Sequence, residues 1–272
     1  MTSDTPPQRQ SDLAIRTVAG IAMVTVAIVS LWVGGLVFWV LCATLGLLII
    51  GEWAALDGAP ATQRRIARFA LVVPLAIMAP PPIAAGPGFL ALGLIGAAFF
   101  FTVIITRRPT LAAGAVYAGL PILALLLIRR QEEGVVFTLW TLALVWACDI
   151  GAYFTGRAIG GPKLAPAISP NKTWAGLIGG VITASAFGAV MHVEYGLAWR
   201  LTLATPFLAV LAQGGDLFES WLKRQAGVKD SGTLLPGHGG ILDRLDGLVP
   251  VAPVAAFLVV LPSLMTLPKI LP

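Results

Sequence analysis

Polar residues are scarce along this chain and gathered into a few places, and the apolar runs between them define the elements. After a polar stretch from Met1 to Asp12, rich in Pro, Gln and Ser, residues 13–56 carry no charge except Arg16 and Glu52. That length suits two helical spans of about 20 residues each, turning near Gly34-Gly35. Further apolar runs follow at 68–85, 88–106, 110–128, 134–154, 174–193, 199–218 and 247–268. Runs of this length are too long for strands. The pattern predicts an all-α, polytopic integral membrane protein with nine transmembrane helices behind a disordered tail at 1–12. No composition shift marks off a soluble domain. The helices divide into an N-terminal set, 13–133, with few ionisable residues away from span ends, and a C-terminal set, 134–272, that holds the polar loops.

Composition agrees. Hydrophobic residues make up 57% and charged residues 11% of 272 positions, against about 25% charged in soluble domains. This excludes a soluble enzyme, a disordered chain and a disulfide scaffold. The two cysteines, Cys42 and Cys148, sit inside apolar runs and read as packing residues. Net charge is +5, and its placement explains it better than nucleic-acid binding does. Dealt alternately across nine spans, 14 of the 18 basic residues fall on the N-terminal side; Arg129, Arg130, Arg200 and Lys269 fall on the other. Basic loops resist translocation, so the N-terminus is expected in the cytoplasm, with the protein in a bacterial-type inner membrane.

Ionisable groups at a membrane need a partner or a task. Five of 13 carboxylates lie between Asp216 and Asp246, namely Asp216, Glu219, Asp230, Asp243 and Asp246, among Lys223, Arg224, Lys229, His238 and Arg244. A helix over 207–225 puts Asp216, Glu219, Ser220 and Lys223 on one face. Pro236, Gly237, Gly239 and Gly240 then break the helix and allow backbone N–H groups to turn toward an anion. A second helix from Ile241 to Val249 sets Asp243 and Asp246 at i, i+3, where they repel unless a cation intervenes. Oxygen ligands without a Cys or His set favour Mg²⁺, which commonly bridges carboxylates to substrate phosphates. The alternative is a solvated loop whose charges pair with one another. Upstream, Asp149 is an isolated acid near the end of the sixth span. Ser169, Lys172 and Thr173 precede the seventh helix, where they would suit a phosphate or a plain helix cap. Trp32, Trp39, Trp53, Trp174, Trp199 and Trp221 fall near span ends, as interfacial belts do.

The run Ser220-Trp-Leu-Lys-Arg-Gln-Ala-Gly-Val-Lys-Asp-Ser-Gly-Thr-Leu-Leu-Pro-Gly-His-Gly-Gly-Ile-Leu-Asp-Arg-Leu-Asp246 resembles the signature of the phosphatidate cytidylyltransferases, the CDP-diacylglycerol synthases. Asp149-Ile-Gly-Ala-Tyr and Ser169-Pro-Asn-Lys-Thr-Trp look similar to that family too, whereas Ala175 and Asn171 stand where members often carry an acid and a Lys. The resemblance implies transfer of a cytidylyl group from CTP to phosphatidic acid of the inner leaflet, releasing pyrophosphate. It implies a Mg²⁺ site at Asp216, Asp243 and Asp246, with a second cation such as K⁺ left open. Lys223 and Arg244 join these aspartates as catalytic candidates. Asp149, Ser169, Lys172, Ser220, Arg224, Lys229 and His238 are substrate-binding candidates, His238 either touching a phosphate or shaping the glycine turn. Membrane lipids surround the protein, no nucleic acid is expected, and a homodimer stays open. A CTP-dependent synthase or kinase acting on another lipid, and a transporter, are the alternatives.

Overall fold

The computed structural model describes residues 8–234 and 239–266. Its elements are α1 (Gln8–Val33), α2 (Gly35–Leu56), α3 (Ala61–Ile77), α4 (Phe89–Thr106), α5 (Pro109–Arg129), α6 (Gly134–Ile159), β1 (Lys163–Ala165), β2 (Ser169–Thr173), α7 (Trp174–Tyr195), α8 (Trp199–Gln225), α9 (Leu242–Leu245) and α10 (Leu248–Thr266). Among the described residues, six helices, α2 and α4 to α8, have both the length and the hydropathy to cross a membrane. Thr17–Val33 of α1 and Leu248–Pro262 of α10 are apolar but shorter. The all-α, polytopic class therefore holds.

Several boundaries move for physical reasons. Helix α1 begins at Gln8, so Gln8 to Asp12 are helical rather than part of a disordered tail, and residues 1–7 lie outside the described ones. Helix α3 occupies 61–77 instead of 68–85: it takes in Arg64 and Arg65 and stops before Pro80-Pro81-Pro82, which cannot donate to a helix. Helix α6 runs on to Ile159, past the expected end at 154, which places Asp149 well inside it. Behind it the loop folds into a small antiparallel hairpin, with Lys163 opposite Thr173 and Ala165 opposite Ser169. Helix α9 is a single turn, separated from α10 at Asp246-Gly247, where one helix had been expected. Trp39 and Trp53 are not belt residues, since their indole N–H groups donate to the Leu75 and Thr110 carbonyls at 2.9 Å inside the bundle. Trp32, Trp174, Trp199 and Trp221 are exposed as expected.

The core centres on α5, whose buried face meets α2, α4 and α10. Helices α6 and α7 pack most closely, through Gly151 and Gly156 on one and Gly176, Gly179 and Gly180 on the other. A Cβ at Gly180 would stand 2.7 Å from the Cys148 carbonyl, and one at Gly179 would overlap Thr155. Small residues allow such backbone approach between membrane helices. A second close approach joins α8 to the α9–α10 elbow: a Cβ at Gly215 would overlap the Asp246 carbonyl oxygen. These two seams bring Asp149, Asp216 and Asp246 to one end of the bundle.

Candidate active site

The polar end of the bundle is a cavity of about 650 Å³ between α6, the hairpin, α7 and α8. Asp149, Lys172, Gln213 and Asp216 line it, with Tyr153, Arg157 and Asn171 on the same wall. Lys172 is the centre of a chain of contacts. Its Nζ lies 2.5 Å from Asp216 Oδ2 and donates to Gln213 Oε1 at 3.1 Å. The amide nitrogen of Gln213 in turn donates to Asp149 Oδ1 at 3.0 Å. Ser220, one turn beyond Asp216 on α8, donates to Asp216 Oδ1 at 3.3 Å. The polar face expected on α8 is therefore real, and it extends one turn further toward the bundle centre than anticipated, to Gln213. That residue was missed because an uncharged amide in an apolar run carries little signal, although its i, i+3 spacing to Asp216 was there to be read.

Asp246 faces the same group. Burial, with Asp216 and then Asp149 nearby, pushes its carboxyl up to about 7, although Gly247 N–H donates to it at 2.7 Å. Among the described residues, no three Asp, Glu, His or Cys side chains converge closely enough to hold an ion by themselves. The donor set nonetheless fits Mg²⁺, which binds through one or two carboxylates and completes its shell with water and substrate phosphate. Asp216, on the cavity wall, and the half-buried Asp246 are oxygen donors whose charges repel each other, and a cation between them would relieve that repulsion.

Asp243 belongs to a second, adjoining cluster. Lys223 Nζ sits 2.6 Å from both Asp243 Oδ1 and Glu219 Oε2, the latter on a side chain with no exposed surface. Asp243 Oδ2 accepts from the N–H and hydroxyl of Ser231, both at 2.9 Å, and from Gly240 N–H at 2.8 Å. Burial alone would raise the Asp243 carboxyl, but Lys223 and these backbone donors hold it down at about 2. Glu52, from α2, completes the cluster: it accepts from Ser231 Oγ, Ile241 N–H and Leu242 N–H at 2.8–2.9 Å. Of the glycine turn, Gly240 N–H meets an anion, Asp243, and the N–H groups of Ile241 and Leu242 just after it meet Glu52, while Pro236 and Gly237 lie outside the described residues. Glu52 had been noted only as a charge within an apolar run. That isolation was the available signal.

The remaining expected residues scatter. Thr173 is the cap of α7, its hydroxyl accepting from Gly176 N–H at 3.0 Å, so the helix-cap reading of that segment holds for it. Ser169 pairs with Ala165 in the hairpin and does not line the cavity. Arg224 donates to the Ile168 and Val228 carbonyls at 3.4 Å, tying the hairpin turn to the end of α8. Lys229 is exposed on the following loop. Arg244 lines an apolar cavity of about 100 Å³ with Phe38, Cys42 and Trp146, and none of the acidic group lines it. His238 lies outside the described residues.

A largely helical membrane protein with cations and carboxylates around one open polar cavity has the side chains to take a phosphorylated substrate. The chain belongs to the cytidylyltransferase family, whose model matches residues 14–261. A phosphatidate cytidylyltransferase of Brucella suis biovar 1 is 40% identical over 249 residues, covering 89% of this chain and 91% of that protein. The phosphatidate cytidylyltransferase of Bacillus subtilis is 42% identical over 151 residues, 54% of this chain and 56% of that protein. One from Staphylococcus haemolyticus is 47% identical over 133 residues, 48% of this chain and 51% of that protein.

Proposed function

We propose that this protein transfers the cytidylyl group of CTP to phosphatidic acid, forming CDP-diacylglycerol and pyrophosphate. The observation that carries this reading is the joining of Asp216, Lys172, Gln213 and Asp149 around one cavity, with Asp246 beside them, in a chain of the cytidylyltransferase family. In the reaction an oxygen of the phosphatidate phosphate attacks the α-phosphorus of CTP. A new P–O bond forms, the bond to the β-phosphate oxygen breaks, and pyrophosphate leaves with that electron pair. A phosphate monoester is anionic at neutral pH, so the nucleophile needs no general base.

The protein's task is then positioning and charge neutralisation. Asp216 and Asp246 would hold Mg²⁺, whose contribution is to offset charge on the phosphates and polarise the α-phosphate. Lys172 and Arg157 line the cavity where a triphosphate fits. Lys223 and Asp243 stand beside this machinery as a bound pair: Lys223 would supply a positive charge for a phosphate, and Asp243 an oxygen donor for a second cation such as K⁺. Arg244, on the wall of an apolar cavity, suits the lipid substrate's phosphate. Membrane orientation follows the basic residues: nine spans, N-terminus in the cytoplasm, and the cavity on the cytoplasmic side of the inner membrane, where CTP is found.

The test is product analysis with purified protein, phosphatidate vesicles and CTP labelled at the α- or γ-phosphate. The proposal expects α-label in an organic-soluble product and γ-label in pyrophosphate. Transfer of γ-label to lipid would establish a kinase instead, and CTP or lipid uptake into vesicles without turnover a transporter.

A further inference from the structure

Glu52 lies in α2, far in sequence from every acid of the site, yet it binds the segment that carries them. Its Oε1 accepts from Ile241 N–H at 2.9 Å, and its Oε2 accepts from Leu242 N–H at 2.8 Å and from Ser231 Oγ at 2.9 Å. The first N–H groups of a helix have no partner within the helix. At α9 those of Ile241 and Leu242 are taken by Glu52 from outside the helix, while Asp243 reaches back to the Gly240 N–H just before it. The surroundings are shaped to admit Glu52. A Cβ on Gly232 would stand 2.8 Å from Glu52 Oε1, and one on Gly240 would overlap Glu52 Oε2 and Ser231 Oγ. One turn later the chain reaches Asp246, whose carbonyl lies against Gly215, next to Asp216.

The geometry points to Glu52 as a positioning residue for the cytidylyl transfer: it anchors the start of α9 to α2 and so sets the Asp246 carboxylate against Asp216. Glu52 touches neither cation nor substrate in this role. It acts through the direction of a one-turn helix, and a displacement of about 1 Å at a reacting centre costs on the order of 100-fold in rate. The inference rests on the reading of Asp216 and Asp246 given above.

The experiment uses the full-length protein in detergent and compares wild type, Glu52→Gln and Glu52→Asp. Glutamine keeps the shape of the side chain and one acceptor, but turns an NH₂ toward donors. Three quantities are measured: thermal unfolding, Mn²⁺ binding to the substrate-free protein by electron paramagnetic resonance, and kcat and KM for CTP. Glu52→Gln is expected to remain folded, to bind Mn²⁺ about 10-fold more weakly and to lose about 10- to 100-fold in kcat, with KM for CTP within about 2-fold of wild type. Glu52→Asp keeps the charge but shortens the reach to Ile241 and Leu242 and is expected to shift both quantities the same way by a few-fold; it decides the matter if Glu52→Gln does not fold. Wild-type Mn²⁺ affinity in the folded variants would overturn the inference, as would activity lost only in proportion to folded protein. If wild type binds Mn²⁺ but makes no CDP-diacylglycerol, the functional reading fails, while weaker Mn²⁺ binding by Glu52→Gln would still support the anchor.

Discussion

Asp243 and Asp246 stand three residues apart and live in opposite electrostatic conditions. Asp243 is held down at about 2 because Lys223 and two backbone N–H groups outweigh its burial. An acid whose value is depressed on folding adds stability above its unfolded value, about 4, and loses it as pH falls toward 2. Asp246 is raised to about 7 by burial and by Asp216 and Asp149. For a raised acid the folded state binds the extra proton, so its effect reverses: stability is present at low pH and is lost as pH climbs from about 4 to 7. Asp246→Asn should therefore melt higher than wild type at pH 8 without divalent cation and no higher at pH 4, and Mg²⁺ should narrow the gap at pH 8 by stabilising wild type alone. Asp243→Asn should melt lower than wild type at pH 7, because Lys223 then lacks one of its two carboxylates. Thermal unfolding in detergent across pH measures both. Sequence spacing put these two acids together, but spacing does not say which one a lysine will claim. That is decided by Ser231 and Lys223, brought in by the fold.

Among the helices, the α6–α7 seam sets how near Asp149 comes to the cavity wall formed by Lys172. Gly179 admits no side chain, because a Cβ there would overlap Thr155. Gly179→Leu should destabilise the protein by about 1–3 kcal/mol, read as a lower melting temperature, whereas Gly214→Ala, where a Cβ would meet nothing within 4 Å, should not lower it. The helices were legible from apolar runs, and ends failed where chemistry is local. The three consecutive prolines stopped α3 early, and α6 continued because Gly156, Arg157 and Ala158 contain nothing that breaks a membrane helix. The hairpin was invisible, since three- and five-residue strands held by their own pairing leave no alternation to read. Asp149 was legible as an isolated acid in apolar sequence, Asp216 as the first of a carboxylate-rich stretch, and Lys172 as a cation just before the seventh helix. Gln213 and Glu52 were not assigned, because their roles come from partners 64 and about 190 residues away.

For the molecule as a whole, the basic residues forecast which end faces the cytoplasm. Single cysteines test this cleanly, since Cys42 and Cys148 are buried. In right-side-out vesicles, Glu132→Cys, on the exposed turn after α5, should react with a membrane-impermeant maleimide, and Arg65→Cys, at the start of α3, should not. The reverse pattern would place the cavity outside. The described residues hold a polar cavity walled by α6, the hairpin, α7 and α8 and a separate apolar cavity edged by Arg244, as two substrates of unlike solubility would need. Everything proposed about catalysis depends on the acids Asp216 and Asp246. The decisive measurement is CDP-diacylglycerol formation from CTP and phosphatidate by folded Asp246→Asn at saturating Mg²⁺. A fall in kcat of about 100-fold or more, with CTP still bound, is the predicted result; turnover at the wild-type rate would contradict it.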